Sequence, residues 1–361
     1  MRMKKIILIL IIILAILLVL AASLSFFNQS SSSLSSKAKE NVSIAITGDV
    51  MFARNMAGVL GSGMSPFEGV SKVTSNVDLL IINFENAATN SNNAVKGDVP
   101  LKCSPDFVPL AKANNNTIAT LANNHVCDYG IGGMNDTINL ISSNGMTPMG
   151  AGENEDAAHK AVTKEIKGRN ITVLNYMDSN NFKEYSYEAL PYANGSNPGY
   201  SAYDSEDAKQ QISSARGNGS DLVIASLHFG NEYSRSPNED QVKIAHELID
   251  NGADVVIGAH PHVTQGVEMY NGKPICYSLG DFIFDLSNPA TLSDYFVQID
   301  LVNNTGKLTI YPVIIRGYLP YFMSPDDGTA LLEELNPKCD QLNITENGTG
   351  VLTFNLTEKT E

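Results

Sequence analysis

GAHPHVTQGVEMYNGKPICYSLGDFIFD, residues 258–285, decides how the rest of the chain is read. A β-branched run, Val255–Ile257, leads into it, and Asn271-Gly272 separates the apolar runs Val267–Tyr270 and Pro274–Ser278. Asn-Gly between two such runs predicts a tight hairpin. At the head of the stretch stands His260-Pro261-His262. In an extended segment, side chains at i and i+2 point the same way. A proline biases the residue before it towards that conformation. The spacing therefore predicts two imidazoles converging on one site at the end of a strand.

Working outward, similar β-branched runs recur at Ser43–Thr47, Leu79–Asn83, Thr117–Leu121, Ile171–Tyr176 and Leu222–Leu227. Between them lie helix-compatible stretches at Phe67–Ser75, Phe107–Ala113, Gly133–Asn144, Asp204–Ala215 and Asp240–Asn251. This alternation predicts an α/β domain with largely parallel pairing. The later runs Tyr295–Leu301 and Leu308–Ile315, joined through Thr305-Gly306, read as an antiparallel hairpin, so the pattern suits a two-sheet sandwich flanked by helices. After about Asp326 the pattern fades into what reads as a polar tail.

Each early strand runs into a polar cluster, and in open α/β sheets sites form beyond the carboxyl ends of the strands. The clusters hold Asp49, Glu85, Asn123-Asn124-His125, His228, and His260 with His262. Taken singly, Asp49 could be a cap, Glu85 a solvated loop acid and Asn123-Asn124 a turn. Together they place four of the six histidines at strand ends, while His159 and His246 fall in helix or loop segments and read as structural. Neutral imidazole plus carboxylate suits divalent ions of the Mn, Fe, Co or Zn type. Asp49, Glu85, Asn124, His228, His260 and His262 would serve one or two such ions, which activate water for hydrolysis. His125 reads as a proton donor rather than a ligand.

Three neighbours read as supporting groups. Arg54 could bind a substrate carboxylate or phosphate bidentately. Glu232, four residues past His228, could hydrogen-bond a ligand imidazole, and Asp128, three past His125, could orient that ring. Asn123 belongs with Glu232 around the ligands. For each, a surface or capping role is the rival.

The N-terminus carries a different signal. Met1–Lys5 is short and basic, and residues 6–27 are almost unbroken apolar sequence. A stretch of that length spans a hydrocarbon core as a helix, with the positive flank inside; a cleaved signal peptide is the rival. The expectation is a cytoplasmic tail at 1–5, a signal-anchor at 6–27, a Ser-rich linker at 28–41, a domain at 42–325 and a tail at 326–361. The domain would then be extracellular, on a single-pass cell-membrane anchor. Frequent Asn-x-Ser/Thr sequons suit export weakly, in so Asn-rich a chain. The formal charge of −15, from 24 basic and 39 acidic residues, argues against nucleic acid as a partner. Four cysteines without CxxC spacing argue against a thiolate zinc site, leaving disulfides or buried thiols open. No GxGxxG or GxxxxGK[ST] pattern follows a strand.

GDVMFAR (48–54), NFENAAT (83–89), LANNHVCDYG (121–130), SLHFGNEY (226–233) and the opening stretch together resemble the CapA family, associated with poly-γ-glutamate capsule synthesis. The resemblance covers about Ser43 to Asp285. It implies the four-layer α/β/β/α sandwich of calcineurin-like metallophosphoesterases, preceded here by an N-terminal transmembrane helix. It implies Asp49 and His262 on one metal, Asn124, His228 and His260 on the other, Glu85 bridging, and His125 beside the substrate. The partners implied are a polyanionic poly-γ-glutamate-type polymer, the membrane and membrane synthase subunits. Metallophosphoesterases usually carry Asp-x-His on the first strand, whereas this chain has Asp49-Val50-Met51, which costs the first ion a strong donor. Asp281 stands where the family more often has Asn. The function expected is a role in making, releasing or anchoring such a polymer through a metal-dependent hydrolytic site. An envelope metallophosphoesterase and a non-catalytic scaffold of a synthase complex are the alternatives.

Overall fold

A computed structural model describes Met3 and residues 39–182, 186, 190–335 and 339–357. In it strand β1 (Val42–Val50) alternates two destinations: Ile44 and Ile46 face one apolar core while Ala45 faces another. That two-sided burial explains why β1 reads as nearly continuous apolar sequence. β2 (Leu79–Phe84), β3 (Thr117–Thr120), helix α1 (Gly130–Ser143) and β4 (Thr147–Met149) follow, with β1, β2, β3 and β4 paired in parallel. Met134 and Ile141 of α1 cover the face that carries Leu80, Ile82 and Ala119.

The chain then builds a second sheet. β5 (Val162–Ile166) and β6 (Arg169–Met177) form a hairpin, followed by α2 (Ser205–Gly217), β7 (Leu222–His228), α3 (Glu239–Asp250), β8 (Val255–Ala259), β9 (Val267–Tyr270) and β10 (Lys273–Cys276). Six strands lie in the order β9-β10-β8-β7-β6-β5. Asn238 opens α3 with a reciprocal capping box to Gln241, so the helix starts at a fixed point just after the β7 site loop. Ala208, Ile212, Ile244 and Leu248 of α2 and α3 cover the outer face of this sheet. Its inner face, through Ile171, Val173, Ile224 and Ile257, meets Ile44, Ile46, Leu79 and Ile81 of the first sheet.

The last third returns to the first sheet. β11 (Asp281–Ile283) pairs parallel with β1, and β12 (Ser293–Val302) pairs antiparallel with β1 and with β13 (Thr305–Arg316). β14 (Leu319–Phe322), helix α4 (Pro325–Leu335), β15 (Asn343–Ile344) and β16 (Gly350–Asn355) complete it, for ten strands.

Two expectations are corrected here. Residues 326–361 are not a polar tail along their described length. β16 pairs with β13 from Thr305↔Asn355 to Ile310↔Gly350, and Leu331, Leu332, Leu335, Leu352 and Phe354 close the end of the inter-sheet core. An 11-residue helix with three leucines on one stripe and a six-residue strand are short signals beside the acidic and Asn-rich sequence around them. The fold class expected a transmembrane helix ahead of the domain. Residues 6–27 lie outside the described residues, and among the described residues no helix is long and apolar enough to cross a membrane. The fold class of the described residues is therefore a mixed α/β domain.

The C-terminal closure is open to test. Leu332 is fully buried, so Leu332→Ala should cost about 2–5 kcal/mol in urea unfolding, as a core leucine does. A tail residue would change stability by no more than about 0.5 kcal/mol.

Candidate metal centre

The parallel strands of both sheets deliver their carboxyl ends to one place. Two glycines make the approach close enough. A Cβ on Gly48 would sit 2.0 Å from the Gly280 carbonyl oxygen, and Gly280 itself turns at φ +75°. Only glycine tolerates both demands. Asp49 consequently lies opposite Asp281 in the parallel β1–β11 register.

Two groups of three buried ligands result. Glu85, His228 and His260 each offer an atom, all within 4.8 Å of one another, and Asp49, His262 and Asp281 do the same. Asn124 Oδ1 stands 2.9 Å from His228 Nε2 and joins the first group. His262 Nδ1 lies 2.8 Å from Asp281 Oδ1 and 3.6 Å from Asp49 Oδ2. Asn83 ties the groups together: its Nδ2 donates to Asp49 Oδ1 at 2.7 Å and to Glu85 Oε2 at 3.3 Å. Asn123 Nδ2 donates in turn to the Asn83 and Phe84 oxygens, and Asn123 Oδ1 accepts from the His125 amide.

His260-Pro261-His262 does not run extended, which corrects the sequence reading. His260 has φ +100° and His262 φ +57°. The left-handed turns send the two rings to different ligand groups, with centroids 6.1 Å apart. Such strain persists only where the surroundings impose it. Here the His260 amide donates to Asp49 Oδ2 at 3.2 Å, and the Pro261 carbonyl accepts from the Tyr233 amide at 2.8 Å.

The charge state fits a cation. Burial, then its neighbour His260, holds His228 well below the usual imidazole range, and burial with His262 does the same to His260. Both are neutral donors, the form that ligates metal. Burial drives Glu85 well above the usual carboxylate range, with Asp49 adding to it. Asp281 is pushed up to about 6 by burial, against the opposing pull of His262. Burial alone would depress His262, but Asp281 and Asp49 outweigh it and raise it to about 9. Glu85 Oε1, His260 Nδ1 and Asp281 Oδ2 are buried without a hydrogen-bond partner, three orphaned donor atoms aimed into the two groups. An N/O donor set of this kind suits borderline divalent ions.

The remaining sequence candidates gather around a pocket lined by Arg54, Lys96, Asn124, His125, Glu232, Tyr233, His262 and Phe284, among others. His125 Nδ1 lies 2.6 Å from Asp128 Oδ2, which leaves Nε2 for a substrate group. Arg54 ion-pairs with Asp285, and its guanidinium lies over the Phe284 ring, 5.6 Å from the centroid. Glu232 is exposed at the mouth and acts on His262 and Glu85 through its charge. Among the described residues it makes no hydrogen bond to a ligand imidazole, the role its spacing from His228 suggested. Met51 is packed in the core, its sulfur accepting from the Ala53 amide, and Asp281 supplies the third donor of its group in place of a first-strand histidine. His159 and His246 lie apart, paired with Asp207 and Glu268.

Sequence reasoning passed over Asp281, Asn83, Lys96 and Asp285. Asp281 had a signal, its departure from the family's usual Asn, and Asn83 is the penultimate residue of β2. Lys96, in a loop without periodicity, had none. All four cysteines are buried and free.

The two-sheet α/β domain carries at its strand ends paired carboxylate–imidazole groups whose donor set is consistent with a metal site. Residues 43–286 match the family described as bacterial capsule synthesis protein PGA_cap, and the chain belongs to that family. It is 33% identical over 285 residues to the PGA biosynthesis protein CapA of Bacillus subtilis, covering 77% of this chain and 73% of that one. To the capsule biosynthesis protein CapA of Bacillus anthracis it is 31% identical, over 78% of this chain and 69% of that one. Among solved structures it is similar to the sulfate thiohydrolase SoxB of Thermus thermophilus, at TM-score 0.41 and 12% identity over 73% of this chain and 44% of that one. That last likeness is too distant to bear on function.

The two groups predict two Mn²⁺ equivalents per full-length chain, with His260→Ala losing one of them, as calorimetric titration would read. An ion entering the Asp49 group must expel the His262 proton. Its apparent affinity should therefore rise with pH from 7 to about 9 and then level off. His262→Ala should abolish that slope.

Proposed function

We propose that this protein acts in the synthesis of a poly-γ-glutamate-type capsule polymer, cutting or releasing the chain at a metal-dependent hydrolytic site. The observation that carries the reading is the pairing of two buried three-ligand groups with the His125–Asp128 dyad and Arg54 on one pocket. The relatives named as CapA supply the polymer class.

Divalent ions held by Asp49, Glu85, Asn124, His228, His260, His262 and Asp281 would polarise a carbonyl and acidify water. The chain's own residues do the rest. Arg54, fixed by Asp285, offers a planar fork to the free α-carboxylate beside a γ-amide. His125, held through Nδ1 by Asp128, presents Nε2, which takes the proton released by the attacking water and passes it to the leaving nitrogen. Hydrolysis of the γ-amide consumes one water and yields a carboxylate and an amine. Cationic groups at the pocket let a polyanion approach a chain of formal charge −15.

We place the domain outside the cell, at the membrane surface. The support is the basic Met1–Lys5 stretch followed by apolar residues 6–27, a pattern of exported chains.

Full-length protein loaded with Mn²⁺ should shorten poly-γ-glutamate, read by size-exclusion chromatography. His125→Ala should slow it about 10²–10⁴-fold, the usual contribution of a positioned acid. An intact polymer after prolonged incubation, with ions bound, would overturn the hydrolytic reading. Release of phosphate from aryl phosphates instead would reassign the site.

A further inference from the structure

Lys96 is almost wholly buried, and an unsupported ammonium at such a depth is costly. Its surroundings account for it. Nζ donates to the Asn124 carbonyl oxygen at 3.1 Å, lies 3.4 Å from His125 Nδ1 and 3.6 Å from Asp128 Oδ1. Among the described residues it is the one lysine or arginine within ion-pair distance of Asp128, whose carboxylate is fully buried. One ammonium therefore touches the backbone of a ligand residue, the ring of the proton donor and the acid that orients that ring.

The segment carrying Lys96 is fastened to the same acid. The Val95 and Lys96 amides donate to the Asp128 carbonyl oxygen, and the Leu101 amide donates to Asp128 Oδ2 at 2.6 Å. Between these anchors Val99 turns at φ +42°, a left-handed conformation that a β-branched residue adopts only under constraint. Residues 95–101 thus form a strap over the 124–128 turn, pinned at both ends to Asp128, with Lys96 pointing in and Val99 exposed at the pocket.

We propose that Lys96 is a positioning residue that locks Asn124 and His125 into a single geometry, so that the Glu85–His228–His260 group and the proton donor are set by one contact. It acts through those residues, touching Asn124 at its backbone carbonyl and not at its ligating side chain. The inference deepens the proposed hydrolytic reading, on which its catalytic part rests, while its metal-binding part stands apart from any reaction.

The experiment is calorimetric Mn²⁺ titration of the full-length chain as wild type, Lys96→Met and Lys96→Arg. Lys96 reaches Asn124 but neither Asp49 nor Asp281 in the described contacts, so Lys96→Met should weaken one of the two binding events about 10–100-fold and spare the other. Lys96→Arg, which keeps the charge, should recover most of the loss. Equal weakening of both events would mean a general loss of structure and overturn the proposal, as would wild-type affinity in a Lys96→Met protein of unchanged melting temperature. Should Lys96→Met fail to fold, Lys96→Met/Asp128→Asn removes both charges and should fold. Selective weakening in that double variant upholds the proposal, and full affinity overturns it. Turnover adds a second readout: Lys96→Met should lower kcat on the polymer with KM nearly unchanged. A wild type that binds two ions yet cuts no polymer would sink the proposed reaction and leave the affinity test standing.

Discussion

Three carboxylates, Asp49, Glu85 and Asp281, are packed into one region with exposures of 0–1%. Like charges so close in a medium that screens poorly cannot all ionise without positive charge among them. The metal-free protein meets this by protonating: Glu85 moves far up, Asp281 rises to about 6, and His262 holds its proton to about 9. The left-handed His260 and His262, the Asn83 amide strung between Asp49 and Glu85, and the neutral pair His228–His260 keep donor atoms converging where water would otherwise separate them. A fold that assembles such a cluster without a cation carries a standing cost, and that cost is the reason to read the cluster as a cation site.

Much of this was legible in the sequence because strands advertise themselves twice, by β-branched runs and by the polar residues that end them. The six ligands named from strand ends are brought to one place, as Asp49 and His228 show at the ends of β1 and β7. What was not legible depends on contacts between remote segments. The conformation of His260-Pro261-His262 is imposed by Asp49 and Tyr233, which no local preference of proline reveals. Lys96 acquires meaning only when residues 95–101 are laid over Asp128. The helix and strand after residue 325 are short, and their apolar sides matter only because the inter-sheet core has an open end to fill.

The division of labour between the two sheets is equally physical. The second sheet supplies His228 and, in the loop that follows β8, His260 and His262, while the first supplies Asp49 and, just beyond its strands, Glu85 and Asn124. Phe182 packs against His228 and His260 at centroid distances of 6.4 and 4.9 Å, so the imidazole side has an apolar wall. The opposite side is polar and open, with Arg54, Glu232 and Tyr233 at the mouth. The site thus has one dry wall and one charged entrance.

The pairing of β1 with β12 has a consequence for how the chain is made. Val42 is bonded in register with Leu301, about 260 positions later, although β1 forms the middle of its sheet. Pairings so remote close slowly, because a long loop must be gathered before any contact repays the entropy. Within the described domain β1 therefore waits, with one edge unsatisfied, until β12 has been synthesised. That delay is an aggregation hazard in a crowded compartment.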